Sequence, residues 1–267
     1  MRLYLSAVFE NSSLMKTSKD ITDIIDISKV HILQSFVYAK EEHAERYKDC
    51  KSFMMDSGAF TLMMSKKNVK NFNIKKFATN YANFIKKWDV DNFVELDVDG
   101  IFGVDVYKDI LHLVQDITGK DPVRVFHGWR GRDYFEELVK VKNRICMGGI
   151  AMGKARRNSL DYFQWFLDTA HKNNCKVHGL AVTSPELLRK YNFDSCDSSS
   201  WTYSARSGTL YRFDGCSIKA YAGSENCPEG KRIDTAFCAE KGVKEWAKYC
   251  EYLDKEYSSL YDNPIII

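Results

Sequence analysis

The sequence predicts an α/β fold, a (β/α)8 TIM-like barrel with a short C-terminal extension. Strand-like runs alternate with helix-like runs along most of the 267 residues, a pattern typical of a parallel sheet covered by helices. About eight strand-like runs occur, the number that closes such a barrel. The alternation stops after Ser198. We expect one catalytic domain over residues 1–267, with the barrel over about 1–212 and the extension over about 213–267. A doubly wound open sheet remains the alternative.

The predicted strands are short and rich in β-branched or aromatic residues, and most of them end in Gly, Asp or Ser. In chain order they are residues 3–8, 31–38, 52–56, 92–97, 123–127, 145–150, 176–181 and 193–197.

The segments between these strands have the apolar spacing of amphipathic helices. Apolar side chains recur at helical spacing over residues 74–88, and residues 106–117 repeat the pattern. Capping signals or apolar spacing predict three further helices, at Asp133 with Glu136, at Ser184 with Pro185, and over residues 243–257.

The composition, 45% hydrophobic and 28% charged residues, is that of an ordinary globular protein. A net charge of +3 does not by itself indicate a nucleic-acid-binding protein, so any basic surface must be local. The N-terminal residues lack a secretory signal pattern and no apolar run is long enough to span a bilayer, so we expect no membrane partner. The 8 cysteines show no tight disulfide framework, which favours a reducing, cytoplasmic setting. Frequent Lys, Asn, Ile and Tyr suit an AT-rich genome, such as that of a virus or phage, and for a phage the setting is the host cytoplasm.

Polar residues and glycines cluster at the carboxyl ends of the predicted strands, where a barrel carries its active site. They are Asp56, Asp97 with Asp99, His127, Gly148-Gly149, His178-Gly179 and Asp197. Like charges raise each other's pKa, so one site can hold a protonated acid beside an ionised nucleophile. Retaining glycosyl transfer needs that combination. The other reading is that each strand-end Asp caps the helix that follows it.

Four short segments follow the order of one enzyme family. They are residues 55–60 (MDSGAF), 147–153 (MGGIAMG), 178–186 (HGLAVTSPE) and 197–208 (DSSSWTYSARSG). In turn they resemble four segments of the tRNA-guanine transglycosylases: Asp-Ser-Gly-Gly-Phe, Gly-Gly-Leu-x-x-Gly, Met-Gly-Val-Gly-Thr-Pro-Glu, and the stretch from the nucleophilic Asp to Ala-Arg-x-Gly. The resemblance covers roughly residues 50–212.

This resemblance implies two catalytic carboxylates. Asp197 takes the place of the nucleophile that attacks the sugar C1′ and holds a covalent glycosyl-enzyme intermediate. Asp56 takes the place of the acid/base that serves the outgoing and incoming bases. Asp194 stays a rival nucleophile, because residues 193–196 (FDSC) also resemble the family's Phe-Asp-Cys.

The resemblance also implies a base-binding set. Asp97 is expected to read the guanine edge, and the backbone amides at Gly148 and Gly149 to close over the base. His127 stands where the family has Gln and remains able to donate to a purine acceptor. The Asp56 segment adds the substrate-binding candidates Ser57, Gly58 and Phe60.

A target base inside a stack must be extruded or lie in an unpaired loop. Phe60 and Trp201 are candidates to stack on a base, and packing at the barrel rim is the alternative for both. Candidates for contact with the nucleic-acid backbone are Lys154, Arg156, Arg157, Arg206 and the run Lys66, Lys67 and Lys70. A solvated charged surface is the other reading of each.

The chain departs from the family at its zinc site. The Cys-x-Cys-x-x-Cys…His spacing is absent, and no His follows His178. A structural zinc on Cys216, Cys227, Cys238 and Cys250 is one expectation, and buried thiols are the alternative. The resemblance implies no organic cofactor and no catalytic metal.

The short chain and the Asp-Ser-Ser-Ser-Trp variant make the phage-type DNA guanine transglycosylases the most similar branch. The resemblance then implies that guanine in DNA is exchanged for a 7-deazaguanine such as 7-cyano-7-deazaguanine. A queuine- or archaeosine-type tRNA-guanine transglycosylase is the alternative. A retaining glycoside hydrolase and a non-catalytic nucleic-acid-binding barrel remain open as well.

Overall fold

The computed structural model describes residues 1–10, 20–59, 72–149, 160–182, 184–221 and 234–262. Its centre is a curled sheet of parallel strands in the order β3-β2-β1-β7-β6-β5-β4. The strands are β1 (Arg2–Ser6), β2 (His31–Ser35), β3 (Ser52–Asp56), β4 (Arg124–Phe126), β5 (Arg144–Met147), β6 (Lys176–Gly179) and β7 (Ser195–Ser198).

The strand order separates the two predicted architectures. Strands that follow one another along the chain are neighbours in the sheet, except that β3 lies at one edge and β4 at the other. A doubly wound sheet instead reverses direction at its middle, beside the first strand. Here the chain leaves one edge and returns at the opposite edge, which is the path of a sheet that curls on itself. The α/β fold with a TIM-like curled parallel sheet is confirmed, and the doubly wound alternative is wrong.

The expected strand over residues 92–97 is replaced by two single-residue bridges between the edges. Phe93 pairs with Met55 at the end of β3, and Val94 pairs with Val123 just before β4, both in parallel. A regular ladder would continue with the Val125 N–H donating to the Glu95 carbonyl. That N–H donates to the Glu95 side chain instead (2.9 Å), so the pairing stops and the seven strands are not joined into a closed eight-stranded barrel.

Helices cover the outer face of the sheet. They are α1 (Ile21–Ile24), α2 (Glu41–Ala44), α3 (Ile74–Lys87), α4 (Asp99–Phe102), α5 (Val104–Thr118), α6 (Arg132–Val141), α7 (Leu160–Lys172), α8 (Pro185–Lys190), α9 (Tyr203–Ser207) and α10 (Thr235–Asp262). The apolar spacing at 74–88 and 106–117 correctly predicted α3 and α5. The capping box at Asp133 is wrong, because Gly131 is the N-cap of α6 and no side chain caps that end.

The inside of the curl holds its own small apolar cluster, made by residues on the inward face of the strands. It comprises Tyr4, Leu33, Met54, Val94, Val125 and Cys146. Side chains alternate between the faces of a strand, so a residue two positions further on faces inward again. That rule brings Ser6, Ser35, Asp56, His127 and Gly148 to the inner face at the carboxyl ends of the strands.

The extension packs against this sheet. Strands β8 (Leu210–Phe213) and β9 (Ile218–Tyr221) form an antiparallel hairpin, and α10 contacts β1, β8 and α9. A Cβ atom on Gly242 of α10 would lie 2.3 Å from Ser204 Oγ, so α10 and α9 approach closely only because residue 242 is glycine. Within the described ranges, no helix has the length and apolar character needed to cross a membrane.

Candidate active site

Three carboxylates share the carboxyl end of the curled sheet. Asp56 ends β3, Asp97 follows the bridge at Val94, and Asp197 is the third residue of β7. Burial, and then the negative charges of Asp97 and Asp197, raise the pKa of Asp56 to about 7, although the Gly58 N–H donates to Asp56 Oδ2 (3.0 Å). Asp56 is therefore about half protonated at neutral pH, as a general acid needs to be.

Asp197 is held by a hydrogen-bond donor at each oxygen. The Ala181 N–H donates to Oδ1 (2.7 Å), and the Ser6 hydroxyl donates to Oδ2 (3.1 Å). Ala181 has a φ of +55°, a conformation that costs a non-glycine residue energy, and this conformation accompanies the hydrogen bond to the carboxylate. The site thus combines a carboxyl group whose pKa is raised to about 7 with a carboxylate whose two oxygens each accept a hydrogen bond.

His127 contacts both Asp97, one of the three carboxylates, and the exposed Trp129. Its Nε2 lies 2.7 Å from Asp97 Oδ2, and its ring stacks on Trp129 with 4.1 Å between centroids and 8° between planes. Trp129 is 63% exposed. Sequence reasoning missed Trp129, although it follows directly after the His-Gly pair at a strand end.

The Gly-Gly pair makes room for His127. A Cβ atom on Gly148 would lie 2.6 Å from His127 Cε1 and 3.0 Å from Val125 Cγ1, and Gly149 has a φ of +81°. His127 Nδ1 is buried and has no hydrogen-bond partner among the residues that the structure describes. The ring therefore packs against the backbone of Gly148 and Gly149, where its Nδ1 is buried.

The loop after β3 explains part of the predicted base-binding set. Gly58 has a φ of +77°, and a Cβ atom there would lie 2.4 Å from Val37 Cγ2, so only glycine fits. Ser57 is completely buried, and the Ala59 N–H lies 3.4 Å from its hydroxyl oxygen. The Ser57 side chain thus packs inside the protein, which does not favour direct contact with a substrate. Phe60 lies outside the described residues.

Two other acidic residues, Asp194 and Asp99, accept hydrogen bonds from neighbouring parts of the fold. Asp194 precedes β7 and accepts from the Val177 N–H (2.7 Å), at the end of the sheet opposite Asp56. It is therefore not positioned as the rival nucleophile. Asp99 accepts two hydrogen bonds from Arg130 (2.9 and 2.7 Å). Burial opposes the effect, but Arg130 holds the pKa of Asp99 below its usual value.

The expected nucleic-acid contacts are only partly described. Arg206 is exposed on α9, and it opposes the burial that raises the pKa of Glu10 to about 7. Trp201 is fully buried and its indole N–H donates to the Ser6 carbonyl (2.8 Å), so it packs at the barrel rim and cannot stack on a base. The other cations proposed for backbone contact, Lys154, Arg156, Arg157, Lys66, Lys67 and Lys70, lie outside the described residues.

The four-cysteine zinc expectation meets a geometric obstacle. Cys238 and Cys250 lie on one continuous helix, α10, and twelve residues of helix span about 18 Å. Two thiolates on one zinc lie within about 5 Å of each other, so one ion cannot bind both. Cys216 is exposed, and Cys227 lies outside the described residues. In the part of the chain that is described, no group of three or more His, Cys, Asp or Glu side chains is arranged for a metal ion.

Comparison with known proteins adds no relative: no family model matches this chain, and no curated protein gives a significant match.

Proposed function

We propose that this chain is a pentosyltransferase that exchanges guanine in DNA for a 7-deazaguanine, through a covalent intermediate on Asp197. The observation that carries the proposal is the pairing of Asp56, whose pKa is raised to about 7, with Asp197, whose two oxygens each accept a hydrogen bond. The four segments that resemble the tRNA-guanine transglycosylases supply the substrate class. We also infer that residues 92–95 occupy the eighth strand position of a barrel.

The first half-reaction uses both carboxylates. An Asp197 oxygen forms a bond to C1′ of the target nucleotide while the bond from C1′ to the guanine nitrogen breaks. The electron pair of that bond leaves with guanine, which takes the proton of Asp56. In the second half-reaction Asp56 removes a proton from the incoming base, whose nitrogen attacks C1′, and the electron pair of the ester bond returns to Asp197.

Asp97, His127 and the backbone at Gly148 and Gly149 are the proposed base-binding set. If Nε2 of His127 donates to Asp97 (2.7 Å), Nδ1 carries a lone pair and accepts from the ligand. The stacked Trp129 provides an exposed aromatic surface beside this set for a neighbouring base.

DNA is the proposed polymer, with tRNA as the second candidate. The preference rests on residues 197–201 (DSSSW), the variant that resembles the DNA branch. A retaining glycoside hydrolase would also use two carboxylates. That function gives no reason for the pair Gly148 and Gly149, whose backbone packs against His127. No organic cofactor or catalytic metal is proposed, and the proposed setting is the cytoplasm, that of the host if a phage encodes the chain.

The test is exchange of radiolabelled guanine or 7-cyano-7-deazaguanine into duplex DNA and into tRNA, side by side, with Asp197→Asn as the control. Label in DNA that the variant loses is the expected result. Label in tRNA alone would move the proposal to the tRNA branch. Absence of label from both, together with absence of a covalent adduct on a denaturing gel, would overturn it.

A further inference from the structure

A buried histidine lies directly beneath Asp197. His178, in β6, is completely buried inside the curled sheet, where its ring meets that of Tyr4 edge-on at 5.6 Å. Its Nδ1 is 2.8 Å from Ser195 Oγ, and its Nε2 is 3.5 Å from Asp197 Oδ1. Nε2 makes no hydrogen bond to any residue in the described part of the chain.

The contacts with Asp197 and Ser195 determine which ring nitrogen of His178 carries the proton. A bare Nε2 lone pair would face the negatively charged Oδ1 of Asp197, which is repulsive. A proton on Nε2 turns the same contact into an attraction, and the Ser195 hydroxyl then donates to Nδ1. Contacts of catalytic groups are often long in the free enzyme and shorten when the substrate is bound. The 3.5 Å separation therefore fits a donor aimed at Oδ1.

We infer that His178 is a positioning residue for Asp197, which rests on the function proposed above. Together with the Ala181 N–H (2.7 Å), the Nε2–H of His178 marks Oδ1 as the oxygen that does not attack. Oδ2, on the side of Ser6, then forms the bond to C1′. His178 also occupies the position where the resembling family segment has Met, so a donor at this position is a feature of this chain.

The Nε2–H donor of His178 should affect the rates of the two half-reactions differently. When the ester between Oδ2 and C1′ forms, Asp197 loses its negative charge and the donor loses its best acceptor. When the incoming base attacks C1′, the C1′–Oδ2 bond breaks, its electron pair returns to Asp197, and the donor stabilises the returning charge. Loss of the donor therefore slows breakdown of the adduct more than its formation.

The chain contains a matched control for this histidine. His31, which begins β2, is also buried in the curl, its Nδ1 lies 2.7 Å from Ser52 Oγ, and its Nε2 lies 3.2 Å from Asp254 Oδ1. Tyr4 contacts this ring as well, at 5.4 Å. His31 thus repeats the serine and carboxylate contacts of His178, with Asp254 in place of Asp197.

The experiment compares His178→Met, His178→Gln and His31→Met in the full chain, with the duplex DNA or tRNA that the unmodified enzyme uses. The readouts are the covalent adduct on a denaturing gel at steady state, the rate of base exchange, and the thermal unfolding temperature. We expect the ratio of adduct to exchange rate to rise about ten-fold in His178→Met, since a hydrogen bond to a charged group affects a rate by at least about that factor. Gln places an N–H near the position of Nε2 and should restore much of the ratio.

His31→Met should lower the unfolding temperature comparably while leaving the ratio unchanged. An equal rise of the ratio in both Met variants, or no rise in His178→Met, would assign His178 a packing role and overturn the inference. Absence of both adduct and exchange with the unmodified enzyme would instead overturn the proposed function, and the inference with it.

Discussion

Replacing Asp56 by Asn should change how the free energy of unfolding depends on pH. The pKa of Asp56 is raised from 3.8 to about 7 in the folded chain, so the folded state disfavours its ionised form. Below the unfolded pKa the carboxyl is neutral in both states and contributes no penalty. As pH rises through the interval between about 4 and 7 the unfolded chain ionises first, and stability is progressively lost.

The size of the loss follows from the shift. About three pKa units at about 1.4 kcal/mol each give about 4 kcal/mol above pH 7, an upper value because Asp56 keeps part of its surface exposed. Asn is neutral at every pH and can still accept from the Gly58 N–H. The variant should therefore gain stability over the unmodified chain with rising pH, and match it near pH 4.

The assay is urea unfolding from pH 4 to 8.5, plotted as the difference in free energy of unfolding between variant and unmodified chain. Asp99→Asn is the control of opposite sign, because Arg130 holds the pKa of Asp99 below its usual value. That variant should lose stability at neutral pH, and the loss should shrink in acid. A difference for Asp56→Asn that stays constant over the whole range would refute the reasoning.

Three further predictions concern activity and packing. Gly148→Ala should cost about 1–3 kcal/mol in urea unfolding and weaken base binding, because its Cβ meets His127. Gly100→Ala, whose Cβ would meet only Trp129 Cζ2 at an ordinary 3.7 Å, should leave the free energy of unfolding unchanged. Trp129→Ala should weaken nucleic-acid binding by about 1–3 kcal/mol in fluorescence anisotropy, whereas an unchanged affinity, or an equal loss in the exposed Tyr221→Ala, would remove Trp129 from the interface. The rate of base exchange should fall as pH rises above about 7, because Asp56 then loses its proton; a rate that keeps rising through pH 8 would exclude Asp56 as the acid.

Local patterns were sufficient to predict most strands but not the gap between β3 and β4. β3 was predicted at 52–56, where it is found, because its run of residues and its terminal Asp are local signals. The strand at 92–97 failed because the Glu95 side chain takes the Val125 N–H. That contact joins residues thirty positions apart, and no window of sequence contains both.

The same limit separates the predicted site residues from the missed ones. The sequence was sufficient to assign Asp56, His127 and Asp197 to one end of the sheet, since each of them closes a predicted strand. The place of His178 beneath Asp197 depends on the pairing of β6 with β7, in which His178 lies opposite Ser195. This register cannot be predicted from the sequence of either strand alone.

The curl of the sheet brings Asp56 and Asp197 closer together than a flat sheet would. Their strands, β3 and β7, are separated in the sheet by β2 and β1. In a flat sheet three strand spacings of about 4.8 Å would hold them about 14 Å apart. Across the curl, the negative charge of Asp197 adds to the larger effects of burial and of Asp97 in raising the pKa of Asp56. On a flat sheet the pKa of Asp56 would still be raised by burial and by Asp97, but it would lose the contribution of Asp197 and would be lower.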